Sequence, residues 1–289
     1  MPVSTTQQYN SDLTFNDKEY LEKVNKYLSE LEPKEILEWA IDHLPTLYQT
    51  TAFGLSGLVA LDMINKISID RGKSHLVPLI FLDTLYHFDE TLELAKRCEQ
   101  TYGVSLKVYK PMEAETKEEF EHQYGSQLWE TDEDAYDYLV KVEPAHRAYR
   151  ELKVKSIITG RRRSQKGERS EIPVIEVDST GLIKLNPLAF WDFQRVWTYI
   201  RANEVPYNLL IDQGYRSIGD WHSTRKPNSS SHDDERSGRW SGKGKSECGL
   251  HKDYFQMRAA FLASKKKREQ QKKLVHELSD SLSNVAISS

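Results

Sequence analysis

Short apolar stretches alternate with helical patterns along most of this chain, and this alternation limits the fold more than any other feature. The apolar stretches cover residues 47–53, 76–83, 105–110 and 156–160. Each has the length of a buried strand, and the segments between them carry apolar residues three and four apart, as helices do. Strands that alternate with helices predict an α/β fold with a doubly wound, mostly parallel sheet and helices on both faces.

Other segments extend this pattern at both ends. Residues 17–44 hold two helical patterns, and residues 131–152 hold another that we expect to be interrupted near Pro144, because proline breaks the helical hydrogen bonding. Residues 173–187 predict a β-hairpin with its turn at residues 179–181. The tail, residues 252–289, is predicted to be helical. Its residues 264–283 have the pattern of a basic and then amphipathic helix, which either packs on a partner subunit or is solvated.

The composition excludes several classes of protein. The net charge is −4, so a nucleic-acid binder with a clear basic excess is not indicated. No apolar run is long enough to span a membrane, and the N-terminus lacks a secretory pattern. Two cysteines, Cys98 and Cys248, do not form a disulfide framework of the secreted type, although one bridge between them is conceivable on paper. We therefore expect a soluble protein of a reducing compartment, most simply the cytosol.

The same two cysteines limit the cofactors. A single chain with two cysteines cannot supply a four-cysteine iron–sulfur cluster, and a cysteine-rich zinc site is equally disfavoured. Neither G-x-G-x-x-G after a strand nor G-x-x-x-x-G-K-[ST] occurs. We therefore predict no bound cofactor and no metal, and any redox chemistry would have to use a sulfur atom as its carrier.

In a parallel sheet ligands bind at the carboxyl ends of the strands, which points to the loops at residues 54–57, 83–88 and 160–170. The first loop, from Phe53 to Gly57, joins a strand directly to a helix. Its glycines allow a close backbone approach, and the helix N-terminus favours an anion, with the Ser56 hydroxyl as a further donor. The alternative is a glycine-tightened turn in which Ser56 is only an N-cap.

A run of cationic residues follows the strand at residues 156–160: Arg161, Arg162, Arg163, Lys166 and Arg169. Arginine forks match phosphate and sulfate oxygens. Such a run can also be a solvated surface, but its place at the end of a strand in an acidic protein favours an oxyanion site. Together the two loops predict a ligand with several negative groups, such as a nucleotide.

Cys248 lies in the sequence Glu-Cys-Gly-Leu-His, residues 247–251, after a polar segment rather than inside an apolar one. This string resembles the phosphoadenosine phosphosulfate (PAPS) reductase family. So do six other segments: TTAFGLSGLVALDM, FLDTLYHFDETL, KVEPAHRAY, TGRRRSQ, GYRSIGDWHSTR and ERSGRWSGKGK. The resemblance covers about residues 47–251. It implies the adenine-nucleotide α-hydrolase-like fold related to ATP pyrophosphatases, a modified phosphate loop at Phe53–Gly57, and a homodimer.

The resemblance also implies a mechanism in sulfate assimilation. Cys248 would attack the sulfur of PAPS, release adenosine 3′,5′-bisphosphate and keep an S-sulfonate, which is covalent catalysis in two steps. An external dithiol, thioredoxin or next glutaredoxin, would then release sulfite. Lys245 and His251 are predicted to assist. Local cations, among them Lys243, lower a thiol pKa and Glu247 raises it, so the net direction stays open.

Loop positions and resemblance together predict the substrate contacts: Phe53, Gly54, Leu55, Ser56, Gly57, Asp83, Thr84, Arg161, Arg162, Arg163, Arg169, Arg236, Arg239 and Trp240. The last three resemble lid residues of the family, with a solvated loop as the alternative. His87 either packs locally or contacts substrate, and His222 is expected near the site rather than on a metal. Cys98 is expected to be an ordinary, partly buried residue.

Relatives that reduce adenosine phosphosulfate, which lacks the 3′-phosphate, usually hold a four-iron cluster. The positions of its cysteines correspond here to Tyr136, Asp137, Asp220 and Ser223. The absence of all four thiols favours PAPS as the substrate. It also implies a cluster-free enzyme.

Two other functions stay open. The first is an ATP pyrophosphatase, although the first loop lacks the aspartate of Ser-Gly-Gly-x-Asp-Ser, and the second is a non-catalytic nucleotide-binding protein. For the reductase we predict three parts. Residues 1–225 would form a nucleotide-binding α/β domain with N-terminal helices, residues 226–251 a mobile active-site segment, and residues 252–289 a helical tail.

Overall fold

The structure is a computed structural model of the 289-residue chain. It describes residue 15 and residues 17–227, 235–236, 238–240 and 247–287. Lys243 and Lys245, and much of the predicted active-site segment, lie outside the described residues.

A six-stranded sheet forms the centre of the chain, in the order β3-β2-β1-β4-β6-β5. All neighbouring strands are parallel except the β5–β6 hairpin. The strands are β1 Leu47–Thr51, β2 Leu79–Leu82, β3 Leu106–Tyr109, β4 Ser156–Ile158, β5 Ile175–Val177 and β6 Ile183–Leu185. The predicted mostly parallel α/β fold is therefore confirmed. Strands β2 and β3 follow one another on one side of β1, and β4 lies on the other side. This change in the order of the strands opens a crevice at the carboxyl end of β1.

Helices cover both faces of this sheet. They are α1 Lys18–Leu28, α2 Pro33–His43, α3 Leu55–Asp70, α4 Asp89–Tyr102, α5 Lys117–Tyr124, α6 Leu128–Thr131, α7 Glu133–Asp137, α8 Glu143–Glu151, α9 Phe193–Ala202 and α10 Tyr254–Ile287. The main core packs α1–α4 and α9 on one face, and a second cluster packs α8 on the other. Sequence signals fix several ends: Pro33 begins α2, and Gly103, with φ +65°, ends α4 in the left-handed conformation.

The helical pattern at residues 131–152 is interrupted, as predicted. Helix α7 passes into a π-helical turn, Tyr138–Val142, before α8 begins with Pro144 in its first turn. A proline ring would clash with the carbonyl four residues earlier in a regular helix, so the backbone widens there. The wider turn faces the site described below.

Helix α10 packs on its own chain at its start. Tyr254 stacks on His146 with 3.8 Å between ring centroids, and Phe261 stacks on Tyr138 at 4.5 Å. These contacts belong to residues 254–261, and the two alternatives for the basic part of the tail stay open. Among the described residues no helix is both long enough and apolar enough to cross a bilayer.

Candidate active site

A cavity opens at the carboxyl ends of β1, β2 and β4, where the topology predicts it. The loops after these three strands line it together with residues 216–220 and with Cys248. The cavity lining includes eight lysines and arginines against three carboxylates, in a protein whose net charge is −4. The positive side chains are Lys141, Arg161, Arg162, Arg169, Lys184, Arg216, Arg236 and Arg239.

The loop after β1 brings backbone amides to this cavity. Phe53 has φ +56°, a left-handed conformation rarely adopted by a bulky residue. It is held by its buried ring and by a hydrogen bond that its amide donates to Thr51 Oγ1 at 2.9 Å. Gly54 is the N-cap of α3 and no side chain caps the helix, which leaves its first amides available to an anion.

Ser56 does not cap helix α3, so the predicted alternative of a serine N-cap is wrong. Its hydroxyl accepts a hydrogen bond from Nε of Arg162 at 2.7 Å and so joins the two predicted loops. Gly160 makes this contact between the loops possible, because a Cβ at residue 160 would lie 3.1 Å from the amide nitrogen of Gly57.

The arginine loop is buried rather than solvated. Arg161, Arg162 and Arg169 are at most 9% exposed, and each pairs with a glutamate. Arg161 pairs with Glu176 and Arg162 with Glu235. The solvated-surface alternative is therefore wrong for these three residues.

Arg169 holds Glu247, the residue before Cys248, through two hydrogen bonds of 2.6 Å. Arg236 adds a longer contact at 3.4 Å. Although burial alone would raise the pKa of Glu247, the bonds from Arg169 bring that pKa well below its usual range. Cys248 is therefore attached through its neighbour to the loop that follows β4.

Cys248 is partly buried and lines the cavity together with the phosphate loop. Burial and the adjacent Glu247 raise the pKa of its thiol, while Lys141 and Arg169 oppose the rise. His251 lies close to it, since donor atoms of Glu247, Cys248 and His251 are all within 4.8 Å of one another. Burial holds the pKa of His251 well below its usual range, so the imidazole is neutral and can accept a proton.

Among the described residues, Glu247, Cys248 and His251 are the group whose ligand atoms lie close enough together to hold a metal ion. Glu247 is already engaged by Arg169 and Arg236, whose charges repel a cation. This arrangement suits an anion better than a metal ion.

Lys141, on the π-helical turn, reaches the cavity between two buried carboxylates. Its Nζ lies 2.9 Å from Asp137 Oδ1 and 2.8 Å from Asp220 Oδ2. Burial would lower the pKa of Lys141, but these two charges keep it above its ordinary value. The other oxygen of Asp137 accepts the amide of Gly249 at 2.8 Å, so this network also holds the backbone beside Cys248.

Tyr136 belongs to the same network, and its hydroxyl donates to Asp220 at 3.2 Å. Tyr136, Asp137 and Asp220 are three of the four residues for which the family resemblance implied cluster cysteines in relatives. The structure places all three around Lys141, whose Nζ lies 5.2 Å from the centroid of the Tyr136 ring.

The predicted lid residues also line the cavity. Arg239 forms an isolated antiparallel bridge with Thr224, and its guanidinium stacks over Trp240 at 4.5 Å, with Arg236 over the same ring at 5.1 Å. Trp240 is buried, so the solvated-loop alternative is wrong for it. Gly219 leaves room for Arg239, since a Cβ at residue 219 would lie 2.3 Å from the guanidinium.

Two predicted substrate contacts lie outside the cavity lining. The carboxylate of Asp83 accepts the amide of Leu85 at 2.9 Å and so shapes its own loop. Arg163 stacks over Phe190 at 4.6 Å and donates to the carbonyl of Ile172. Asp83 is thus engaged in a local turn and Arg163 in contacts with Phe190 and Ile172, and a role of either residue in binding substrate stays a prediction.

The remaining singled-out residues have defined places. Thr84 lines the cavity and donates to Asp220 at 2.6 Å. His87 packs locally, with its Nε2 2.9 Å from the carbonyl of Leu82, and it also lines the cavity, so that contact with substrate stays a prediction. His222 stacks on Trp129 behind the site. Cys98 is fully buried rather than partly buried, and burial raises its pKa to about 12.

Sequence reasoning missed several cavity residues. Lys141 and His146 belong to helical segments, and Lys184 belongs to the hairpin, where isolated charges look like surface residues. Burial lowers the pKa of His146 to about 4, so this cavity histidine is neutral. A usable signal existed for Lys141, because it stands directly before the Val-Glu-Pro string of a matched segment.

Comparison with known proteins gives consistent results. The family model described as "Phosphoadenosine phosphosulfate reductase domain" matches residues 46–226. The phosphoadenosine phosphosulfate reductase of Emericella nidulans is 47% identical over 279 residues, which cover 96% of this chain and 89% of that protein.

Solved structures agree with this family match. The crystal structure of a PAPS reductase from Candida auris, a phosphate complex, is 52% identical with a TM-score of 0.66, and the match covers 72% of this chain and 98% of that one. An FMN adenylyltransferase from Candida glabrata, with 13% identity, a TM-score of 0.51 and coverage of 76% and 70%, shares the fold alone. The predicted nucleotide α-hydrolase-like fold is confirmed.

Proposed function

Because the chain belongs to the phosphoadenosine phosphosulfate reductase family, we propose that it reduces PAPS to sulfite and adenosine 3′,5′-bisphosphate in sulfate assimilation. One observation carries the proposal: Cys248 lines the same basic cavity as the phosphate loop and the buried arginines. A nucleophile beside a polyanion site fits a substrate whose reactive sulfur is attached to a phosphate.

The nucleotide binds first in this scheme. Its negative groups meet the amides at the start of α3 and the guanidinium groups of Arg161, Arg162 and Arg239. The amides at the start of α3 are fixed by the fold, so they offset the charge that develops on the leaving phosphate at little reorganisation cost. Trp240, Arg236 and Arg239 act as the lid over the bound nucleotide.

The thiol of Cys248 then gives up its proton, and neutral His251 is the acceptor within reach. Because the pKa of His251 lies well below that of the thiol, this transfer is uphill and takes place together with the attack on sulfur. The Sγ atom forms a bond to the sulfur of PAPS while the bond from that sulfur to the phosphate oxygen breaks. Adenosine 3′,5′-bisphosphate leaves with the electron pair, and Cys248 S-sulfonate remains. Lys141, whose charge faces Cys248, favours the thiolate.

An external dithiol completes the reaction. One of its thiolates attacks Sγ of Cys248 and expels sulfite, and its second thiol releases Cys248 while the dithiol becomes a disulfide. The two electrons therefore come from the dithiol, for which thioredoxin is our first choice and glutaredoxin the second.

Three further statements belong to the proposal. The segment at residues 226–251 moves aside so that the dithiol can reach Cys248, and the enzyme works in the cytosol and as a homodimer. A cluster-free active site agrees with two cysteines in the chain.

Sulfite production tests the proposal. Wild-type protein with PAPS, thioredoxin, thioredoxin reductase and NADPH should form sulfite, and Cys248→Ser should form none while still binding adenosine 3′,5′-bisphosphate. Cys98→Ser is the matched control, since its buried thiol lies on α4 away from the cavity lining, and it should keep the activity. Sulfite formation by Cys248→Ser would disprove the mechanism.

A further inference from the structure

Glu235 places a carboxylate inside a cavity that is otherwise suited to anions. It lines the cavity, and its side chain is 13% exposed. Oε1 accepts from Arg162 Nη1 at 3.0 Å and from the hydroxyl of Ser164 at 3.1 Å, and Oε2 accepts from Arg162 Nη2. The carboxylate thus has the two-pronged contact that a phosphate or sulfonate group makes with an arginine.

The donors of Arg162 are occupied by this arrangement. Nε donates to Ser56 of the phosphate loop, and Nη1 also lies 2.8 Å from Ser164 Oγ and 3.3 Å from the carbonyl of Trp191. The fork that remains for a ligand, formed by Nη1 and Nη2, is the one that Glu235 fills. An oxyanion that approaches the phosphate loop can therefore use Arg162 fully only after Glu235 has left.

Because Arg162 is buried, the Glu235 carboxylate can leave it only if another anionic group takes its place. The side chain of Arg162 is 2% exposed, and a buried guanidinium without a partner is strongly unfavourable. An incoming phosphate or sulfonate group keeps the guanidinium paired when the carboxylate departs. A neutral ligand gives no such compensation.

We propose that Glu235 is an internal competitor that occupies an oxyanion subsite formed by Arg162 and Ser164, and that an anionic group of the nucleotide displaces it on binding. This inference rests on the proposed function, because it takes its ligand from there. Glu235 then lowers the affinity for every nucleotide that binds through Arg162. It also selects against ligands without an anionic group at this subsite.

Binding calorimetry with adenosine 3′,5′-bisphosphate and with adenosine tests the proposal. Glu235→Gln keeps the size of the side chain and one acceptor oxygen, but it removes the charge and replaces the other acceptor by an N–H donor. We expect it to bind the bisphosphate at least about tenfold more tightly than wild type, with adenosine binding unchanged. Asp42→Asn is the matched control, because Asp42 makes the same two-pronged contact with Arg71, at 2.5 and 2.9 Å, outside the cavity lining.

Glu235→Asp separates charge from shape. It keeps a carboxylate and should bind the bisphosphate within about threefold of wild type, a difference well under 1.4 kcal/mol. The proposal is overturned if Glu235→Gln binds the bisphosphate no more tightly than wild type, or if Glu235→Asp gains as much as Glu235→Gln. If wild-type protein neither binds the bisphosphate nor forms sulfite, the proposed function fails instead, which is a separate result.

Discussion

At the scale of single residues, the thiol of Cys248 is not activated by its surroundings in the ligand-free protein. Burial and Glu247 raise its pKa more than Lys141 and Arg169 lower it. The sequence left this direction open, because neighbours along the chain do not show which charges face the sulfur. A protonated, partly buried thiol is protected from side reactions until a ligand and a base are in place.

The raised pKa predicts a pH dependence for Cys248. A thiol is protonated below its pKa, so the reactive thiolate becomes abundant only as the pH rises through that value. Alkylation of ligand-free protein by iodoacetamide should therefore accelerate with a midpoint above 9.0, the ordinary value. Glu247→Gln removes the closest negative charge and should move the midpoint to lower pH. Cys248→Ser gives the background from Cys98, and a wild-type midpoint near 7 would contradict this account.

Gly249 provides a second test at this scale. A Cβ at residue 249 would lie 2.8 Å from Cβ of Asp137 and 2.9 Å from Cε of Met257, closer than real Cβ contacts. Gly249→Ala must therefore shift the backbone next to Cys248. We expect kcat for sulfite formation to fall at least about tenfold, since small misplacements of a nucleophile are costly, while binding of adenosine 3′,5′-bisphosphate changes little. Unchanged kcat would show that the hydrogen bond between Gly249 and Asp137 does not position the thiol.

At the scale of elements, the π-helical turn Tyr138–Val142 places Lys141 between Asp137 and Asp220. The interruption near Pro144 was predictable, because proline has a fixed backbone chemistry. The partner of Lys141 across the fold was not, because Asp220 is 79 residues away and only the tertiary structure brings the two together.

Removing the charge of Lys141 should destabilise the protein strongly. Lys141→Met leaves two buried carboxylates without their shared cation, which typically costs about 3–5 kcal/mol. The free energy of unfolding in urea measures this cost. Lys18→Met is the matched control, since Lys18 is 91% exposed and its contact with Glu22 is 3.9 Å long. A loss as small as that of the control would mean that the network contributes little to stability.

At the scale of the whole molecule, charge is distributed unevenly. The chain carries −4 overall, yet the charged residues that line its cavity are mainly cations. Because acidic residues outnumber basic ones in the whole chain, 44 to 40, composition alone gave no sign of a polyanion site. That sign came from where the arginine run stands, at the end of a strand.

This distribution predicts salt-sensitive binding of charged ligands. Affinity for adenosine 3′,5′-bisphosphate should fall severalfold between about 0.05 and 0.5 M sodium chloride, because ions screen the attraction over a shorter distance as their concentration rises. Adenosine affords the comparison and should show little change. Equal salt dependence of the two ligands in calorimetry would argue against an electrostatic site.

Much of this architecture could be predicted from the sequence. The periodicity of each strand and helix is a local property, and a parallel sheet follows from the alternation of strands and helices along the chain. The phosphate loop, the arginine loop and Cys248 were also found in advance, and the fold brings them to one cavity. What could not be read was the pairing of charges. Arg162 with Glu235 and Arg169 with Glu247 join residues more than 70 positions apart. The side chains of Asp83 and Arg163 lie outside the cavity lining, which the sequence could not show because side-chain direction within a loop depends on such contacts.

The central claim is that Cys248 carries the sulfonyl group between two partners. Intact-mass measurement of protein incubated with PAPS, without any reductant, tests it directly. We predict an increase of about 80 Da, the mass of SO₃ added by covalent catalysis, located on the peptide that contains Cys248 and lost when thioredoxin is added. Sulfite formation by protein that never acquires this mass, or an adduct on any other residue, would contradict the account.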